Sequence, residues 1–217
     1  LLQFKALGTN LLSLEINSSS QTNNTATSQK LSIQQVLDLK TSSPAITLVA
    51  PYTALYLPVI FQGHKLQGSI IGATYALQNL MKVKMLQGRF ISFLDGYSNY
   101  CVIGHSLYQE MIKQGYRHVI GQQVNVSGNF FTIAGVMQKW PQNSFLFVDL
   151  NNAMVISLPS ALVLSKYATL SNAILRLIPG QDIERIKNSI THYFHTIAPA
   201  KQLYFQSPEQ IIRQMQK

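Results

Sequence analysis

Two strand–helix–strand patterns stand at the two ends of the chain and limit the topologies that it can adopt. In the first pattern, residues 11–16 form an apolar strand, and a helix begins after Ser32. Gln35 occupies the third helical position, so Ser32 and Gln35 form the capping box that is typical of a helix N-terminus. Residues 44–57 are rich in Thr, Val, Ile and Tyr, which favour strands, and they supply the returning strand. The N-terminal region is therefore predicted to be one βαβ unit.

The second pattern occupies the C-terminal region. Apolar residues alternate along residues 173–177, which predicts a strand. Asp182 then caps a helix whose apolar residues fall on one side, and residues 201–206 return as a strand. Two βαβ units are the components of a ferredoxin-like layer. We therefore predict an α+β fold in which residues 1–57 and 168–217 form this layer.

The middle of the chain, residues 58–167, is predicted to be an inserted and mostly β subdomain. Its clearest pattern is a β-hairpin over residues 123–134, with Gly128-Asn129 as a two-residue turn. This turn sets a register in which apolar residues face one another: Val126 opposite Phe131, and Val124 opposite Ile133. All four side chains then lie on one face, which is the arrangement that burial of a single face requires.

The composition indicates a folded chain with an apolar and basic surface. Hydrophobic residues make up 47% of the chain and charged residues only 12%, which excludes a disordered chain and a coiled coil. The mean hydropathy of +0.10 suggests a surface for a partner or a nearby membrane. The net charge of +9 fits a solvated, weakly cationic surface or, equally, nearby anionic lipid head groups. The single Cys101 cannot form an internal disulfide and is interpreted as a packing residue.

One stretch, residues 41–64, contains no Asp, Glu, Lys or Arg, as a membrane span would. Pro44, Pro51 and Pro58 recur through it, and a proline in a helix interior costs about 3 kcal/mol. The stretch is therefore predicted to form buried strands joined by turns.

The sequence offers few residues for catalysis. Gly104-His105-Ser106 lies where a nucleophile elbow would begin, but Tyr108 replaces the second glycine that the sharp turn requires. Ser106 is better interpreted as the N-cap of a helix. A serine-type hydrolase that uses His105 and Ser106 is the alternative from another functional class, and it requires a nearby carboxylate. We expect no catalytic residues.

Metal, cofactor and nucleic-acid sites are not indicated either. His192 and His195 are three residues apart on a predicted helix, but zinc usually needs at least three protein ligands. No G-x-x-x-x-G-K-[ST] phosphate-binding loop occurs, so an ATP site would lie on another domain. The basic residues are scattered, which argues against the further alternative of a nucleic-acid-binding module. We expect no metal and no cofactor in this chain.

Large apolar side chains near residues 140–147 are the candidate docking residues. Trp140, Phe145 and Phe147 flank a turn of Gln, Asn and Ser residues. Such side chains belong to the core by default, but in an exposed turn they mark a docking edge. We predict that these three residues bind a partner.

A series of short motifs resembles the periplasmic core domain of MacB-type ABC transporter permeases, a group with FtsX-like and LolC-like members. The motifs are mostly glycines and strand residues, in this order: Gly72-Ala73-Thr74, Leu80-Met81, Leu86-Gln87-Gly88-Arg89-Phe90, Asp95, Cys101-Val102-Ile103-Gly104, Leu107, Ile120-Gly121-Gln122, Gly128, Phe131 and Ile133-Ala134-Gly135-Val136. The opening residues 6–11 also resemble the segment after the first membrane helix of that family. Each motif alone is weak, whereas their order and spacing together are specific.

The resemblance implies a porter layer of βαβ units that is interrupted by a mostly β subdomain called the sabre. It also implies a piece of a bacterial inner-membrane protein, in which Leu1 follows one transmembrane helix and Lys217 precedes the next. The domain would lie in the periplasm. ATP and Mg would bind a separate cytoplasmic ATPase, and the full transporter would be a dimer.

The same resemblance implies a mechanical function in efflux. In that family, the domain couples ATP-driven membrane motion to periplasmic events, and it contacts an adaptor protein or exported cargo. Related permeases release lipoproteins, as LolC/LolE-like proteins do, or control cell-wall hydrolases. A fold does not choose among these functions, so they stay open as alternatives.

Overall fold

The structure, a computed structural model, describes residues 10–18, 30–141, 149–208, 210 and 216–217 of the 217-residue chain. The strands are β1 (Leu11–Ser18), β2 (Ile46–Leu55), β3 (Val59–Phe61), β4 (His64–Leu66), β5 (Ser69–Ala73), β6 (Met85–Gly88), β7 (Tyr100–Ile103), β8 (Gln123–Val126), β9 (Asn129–Met137), β10 (Ala153–Ser157), β11 (Asn172–Leu177) and β12 (Lys201–Gln206). The helices are α1 (Ile33–Leu37), α2 (Leu39–Ser42), α3 (Tyr75–Leu80), α4 (His105–Lys113), a 3₁₀ turn (Leu150–Asn152), α5 (Leu158–Leu164) and α6 (Ile183–Ile197).

The chain forms two compact units. Unit 1 contains residues 1–51 and 169–217, and unit 2 contains residues 52–168. Strand β2 passes from unit 1 into unit 2 along its length. The subdomain limits predicted from the sequence, 1–57 with 168–217 and 58–167, stay a prediction.

Unit 1 has the strand order of a ferredoxin-like layer. Its strands lie in the order β12-β1-β11-β2, and β1 is antiparallel to both of its neighbours. Numbered within the unit, this order is 4-1-3-2, and unit 2 is inserted between the second and third of these strands. The α+β prediction with an interrupted ferredoxin-like layer is confirmed.

The helix signals of unit 1 act as the sequence predicts. Ser32 Oγ accepts a hydrogen bond from Gln35 N at 3.1 Å, and Gln35 Oε1 accepts one from Ser32 N at 3.0 Å. Asp182 caps α6 by accepting from Glu184 N at 3.1 Å. Helix α6 buries the apolar stripe Ile186, Ile190 and Phe194. It is tied to α1 by Tyr193, whose hydroxyl donates to the Gln35 carbonyl at 2.6 Å. These local signals therefore fix where the helices of unit 1 begin.

Unit 2 is a mixed sheet with helices α4 and α5 packed on one face, which we call the inner face. The strand order is β2-β5-β10-β7-β9-β8-β3-β4, and β6 also pairs with β9. A large apolar cluster joins the inner face of this sheet to α4 and α5 through residues such as Phe61, Val124, Phe131, Leu107 and Ala161. In the described part of the chain, no helix is long and apolar enough to cross a membrane.

The hairpin of β8 and β9 confirms the predicted faces but corrects the predicted register. The observed partners are Val124 opposite Phe131 and Val126 opposite Asn129, which is a shift of two residues. The turn is centred on Ser127-Gly128, where φ is +51° and +83°, as a type I′ turn requires. Asn125 Oδ1 supports this turn by accepting from Gly128 N at 2.9 Å. A shift of two residues leaves every side chain on its predicted face, because the side-chain period of a strand is two.

Candidate partner-binding surface

Residues 91–99, within the loop that joins β6 to β7, expose three large apolar side chains. Phe93 is 77% exposed, Leu94 79% and Tyr97 74%. Single exposed apolar residues are ordinary on a protein surface, but three of them within five residues form a patch. The composition around them explains why they stay exposed. Ser92, Asp95 and Gly96 are turn formers, so no strand or helix runs here to bury a side chain.

A buried carboxylate holds the base of this loop. Asp95 accepts two hydrogen bonds from the guanidinium of Arg89, each at 3.0 Å, and a third from Ser92 N at 2.7 Å. The Ser98 hydroxyl donates a weaker bond at 3.4 Å. The Asp95 side chain is 6% exposed, whereas that of Arg89 is 46% exposed. A two-pronged guanidinium–carboxylate pair defines direction as well as distance, so the pair orients the loop.

The same contacts change the pKa of Asp95. Burial of the carboxyl group would by itself raise its pKa, because burial disfavours the charged form. The hydrogen bonds from Arg89 and Ser92, together with the charge of Arg89, outweigh burial and lower the pKa below its ordinary value. Asp95 is therefore ionised at neutral pH, and the clamp that it forms with Arg89 is a charged one.

Two serines hold the loop from a second side. Ser157, at the end of β10, donates its hydroxyl to the Gly96 carbonyl, and Ser160 of α5 donates to the Ser98 carbonyl at 3.1 Å. Ser157 also caps α5. Both bonds join the second half of the loop backbone to regular structure. The exposure of Phe93, Leu94 and Tyr97 consequently belongs to a well-supported loop.

Neighbouring aromatic residues extend the patch. The rings of Tyr75 and Phe93 are 6.3 Å apart in an edge-to-face arrangement, and Tyr75 is 56% exposed. Arg89 lies over the Tyr100 ring, 5.2 Å from its centre. We call the set Tyr75, Phe93, Leu94, Tyr97 and Tyr100 the aromatic loop surface. Such a surface suits contact with the apolar part of another molecule, because rigid aromatic side chains bury much area at a small entropic cost.

The predicted docking residue Trp140 lies in the core of unit 2. Its indole is only 5% exposed, and Nε1 donates to the Met81 carbonyl at 2.9 Å. Its backbone is paired with Asn151, whose Oδ1 accepts from Trp140 N at 2.8 Å and whose Nδ2 donates to Trp140 O at 2.7 Å. The residue thus packs and hydrogen-bonds within the unit, and its contact with a partner stays a prediction. Phe145 and Phe147 lie outside the described residues.

The packing of Trp140 yields a stability prediction. We expect Trp140→Phe to lower the free energy of unfolding by about 1–2 kcal/mol, because the Met81 carbonyl loses its buried donor. Urea unfolding followed by circular dichroism measures this loss. Tyr167→Phe is the control, since Tyr167 is 79% exposed, and it should change stability by less than about 0.5 kcal/mol. Equal stability of the Trp140→Phe variant and the wild type would show that the indole is not needed for folding.

The residues of the hydrolase alternative are not assembled into a catalytic group. His105 and Ser106 open α4, and His105 Nε2 lies 3.4 Å from Gln109 Nε2. Asp95 is engaged by Arg89, as described above. The prediction that Ser106 is the N-cap is wrong. Gly104 takes that position, because a Cβ there would lie 2.2 Å from the Leu150 carbonyl oxygen, so only glycine fits.

The remaining candidate residues have ordinary positions. His192 and His195 are exposed on α6. Within the described residues, no group of three or more His, Cys, Asp or Glu side chains is placed to hold a metal ion. Cys101 is fully buried in β7, and this burial raises the pKa of its thiol. A thiol that stays protonated in an apolar cluster contributes packing.

Sequence reasoning did not identify the aromatic loop surface. Arg89 and Asp95 belong to the motif series, but no pattern in the sequence predicts that they form a pair. One signal was present, because Phe93 and Leu94 stand between Ser92 and Asp95-Gly96, where a turn is expected. An apolar pair in such a turn has no neighbouring strand or helix pattern to bury it.

Comparisons with known proteins agree with this architecture. Residues 2–193 match the family model of the MacB-like periplasmic core domain. The fold is similar to that of the periplasmic region of MacB from Actinobacillus actinomycetemcomitans, with a TM-score of 0.74 and 13% identity, over 98% of this chain and 95% of that chain. It is also similar to the extracellular domain of the noncanonical ABC-type transporter YknZ from Gram-positive bacteria, with a TM-score of 0.70 and 14% identity, over 90% of this chain and 100% of that chain.

No curated protein sequence is significantly similar to the chain. At identities of 13% and 14%, the two structural likenesses show a shared fold. The family match covers most of the chain and agrees with the resemblance seen in its motifs. The chain therefore belongs to the MacB-like periplasmic core domains, which are periplasmic or extracellular domains of ABC-type transporter permeases.

Proposed function

We propose that this domain passes ATP-driven motion of a transporter's membrane helices to the extracytoplasmic side, where the aromatic loop surface contacts an adaptor protein or exported cargo. The observation that carries the proposal is the combination of a firmly bonded loop with three side chains that are 74–79% exposed. A part that transmits displacement must keep its shape under load. The Arg89–Asp95 pair and the two serine contacts give the loop that property.

The proposal assigns no chemistry to this domain. The family is a class of transporter domain and not a class of enzyme. ATP and Mg would bind an ATPase on a separate domain or subunit. Membrane helices before and after this domain would deliver the motion, and two copies would act together in a dimer. Efflux and lipoprotein release both fit such a device, and they differ in the molecule that meets the aromatic loop surface.

Crosslinking in the whole transporter tests the contact. Leu94 is replaced by the photo-reactive residue p-benzoylphenylalanine in the permease in its native membrane, and light-induced adducts are identified by mass spectrometry. We expect a protein adduct whose yield falls at least tenfold when Phe93→Ser and Tyr97→Ser are added. Central aromatic residues of an interface typically contribute about 2 kcal/mol or more each, so the expected loss is large.

The control substitution is Tyr167→Ser. Tyr167 is 79% exposed in the same unit but lies outside the loop, so its replacement should leave the adduct yield unchanged. The protein found in the adduct separates the alternatives: an adaptor supports export, and a lipoprotein supports release. An unchanged yield in the Phe93→Ser, Tyr97→Ser variant would contradict the proposal.

A further inference from the structure

One face of the unit 2 sheet carries a row of exposed and half-buried side chains across four strands. The pairings place Lys65 opposite Ile60, Ile60 opposite Asn125, and Asn125 opposite Phe130. A second row pairs Thr132 of β9 with Tyr100 of β7. Because paired residues point to the same side of a sheet, these six side chains share one face. We call these six residues the outer face.

The outer face is partly apolar although its opposite side already fills the core. Ile60 is 38% exposed, Tyr100 43% and Phe130 53%. The alternate residues of the same strands, such as Phe61, Val124 and Phe131, are at most 2% exposed and belong to the apolar cluster. The sheet therefore needs no further cover for its own stability. Exposed apolar residues in neighbouring positions of a strand surface are instead available to another molecule.

The net charge of unit 2 is positive. Unit 2 contains eight Lys and Arg residues and three Asp and Glu residues. Lys65 lies on the outer face itself and is exposed. Of the three acidic residues, Asp95 is bound by Arg89, and the other two lie in elements on the inner side. Glu110 is on α4, whose Leu107 and Met111 belong to the core cluster, and Asp149 caps the 3₁₀ turn that contacts α4.

We propose that the outer face binds a protein segment that carries both acidic and apolar side chains. This segment belongs to the partner that contacts the aromatic loop surface. This inference rests on the proposed function, and Tyr100 belongs to both surfaces. Lys65 on the face and the net positive charge of unit 2 favour an acidic segment by charge complementarity. Ile60 and Phe130 lie on either side of the neutral Asn125, so a segment that crosses these strands can contact both with apolar side chains.

Two other occupants fit the outer face less well. A nucleic acid is held by many cations along its phosphates, whereas Lys65 is the only cation among the six residues of the outer face. A lipid surface is bound by apolar side chains that insert into it, whereas Ile60 and Tyr100 are only 38% and 43% exposed.

The experiment replaces Phe130 by p-benzoylphenylalanine in the transporter in its native membrane. We expect an adduct with another protein, attached in a segment rich in Asp and Glu. Lys65→Glu should lower the yield at least fivefold. Lys113→Glu is the matched control, because it changes the net charge equally but lies at the end of α4, on the inner side of the sheet. It should leave the yield within twofold, and the melting temperatures of both variants show that they are folded.

The other outcomes overturn the inference in distinguishable ways. An adduct with lipid, with nucleic acid or with a second copy of this chain identifies a different occupant. Equal effects of Lys65→Glu and Lys113→Glu show that only general charge matters. If Leu94 gives a protein adduct and Phe130 gives none, the inference is wrong and the proposed function stands. If neither position gives a protein adduct, both are wrong.

Discussion

The Gly88→Ala variant is expected to lose about 3–5 kcal/mol of unfolding free energy, because two backbones meet at this residue. Gly88 of β6 lies opposite Gly135 of β9. Its φ is +65°, and an added Cβ would lie 2.0 Å from the Ala134 carbonyl oxygen. The left-handed conformation alone costs a residue with a Cβ about 1–2 kcal/mol. The contact with a backbone atom adds to this, since backbone moves only if the strands separate.

Urea unfolding followed by the fluorescence of Trp140, the single tryptophan, measures this loss within unit 2. Gly128→Ala is the matched control. Gly128 also has positive φ, +83°, but no heavy atom lies within 4 Å of its added Cβ. The control should therefore lose only the conformational part, about 1–2 kcal/mol. Equal losses in the two variants would contradict the close approach of β6 and β9.

The Gly88→Ala variant should also disturb the aromatic loop surface. Arg89 N donates to the Ala134 carbonyl at 3.0 Å, next to the contact that the new methyl group would strike. A shift of Arg89 moves the guanidinium that holds Asp95. We therefore expect a lower adduct yield from p-benzoylphenylalanine at Leu94 in this variant, while Gly128→Ala keeps the wild-type yield.

Asp95→Asn is expected to lower the free energy of unfolding by about 2–3 kcal/mol at neutral pH, because it leaves the guanidinium and Ser92 N without a charged acceptor. This loss of unfolding free energy is smaller than that expected for a fully buried ion pair, because Arg89 is half exposed to water. Asp182→Asn is the matched control. Asn caps helices as well as Asp does, so this variant should lose less than about 0.5 kcal/mol. A similar small loss in both variants would show that the clamp does not stabilise the fold.

The pKa of Asp95 adds a pH dependence to this prediction. The carboxyl group has a lowered pKa in the folded state, so folding favours its ionised form. Its contribution to stability is complete above the unfolded value of about 3.9. It is lost as the pH falls through the lower pKa of the folded state. Unfolding free energies of wild type and Asp95→Asn should therefore differ by a constant amount from pH 5 to pH 7 and converge below about pH 4. A difference that persists undiminished at low pH would contradict the charged clamp.

Local sequence signals were sufficient for most of the fold. Three such signals are the capping box of Ser32 and Gln35, the Asp182 cap and the apolar stripe of α6. Each involves residues that are close together in the chain, so the sequence alone predicts that they are also close together in space. The hairpin shows where such signals end. Alternation assigned Val124 and Phe131 to the buried face correctly, but Ser127 with positive φ moved the turn by one residue and the register by two. The alternation of apolar and polar residues cannot reveal a shift of two residues, because the alternation itself has a period of two.

By themselves, the residues of this chain determined an α+β layer built from two distant βαβ units, its helix starts and the faces of its hairpin, because each depends on neighbours in the chain. Only the tertiary structure decided that Trp140 is buried, that Arg89 clamps Asp95, and that Phe93 and Leu94 stay exposed. Burial and pairing depend on which side chains lie opposite in space. A segment with the composition of residues 91–99 becomes core or contact surface according to what the rest of the fold places against it.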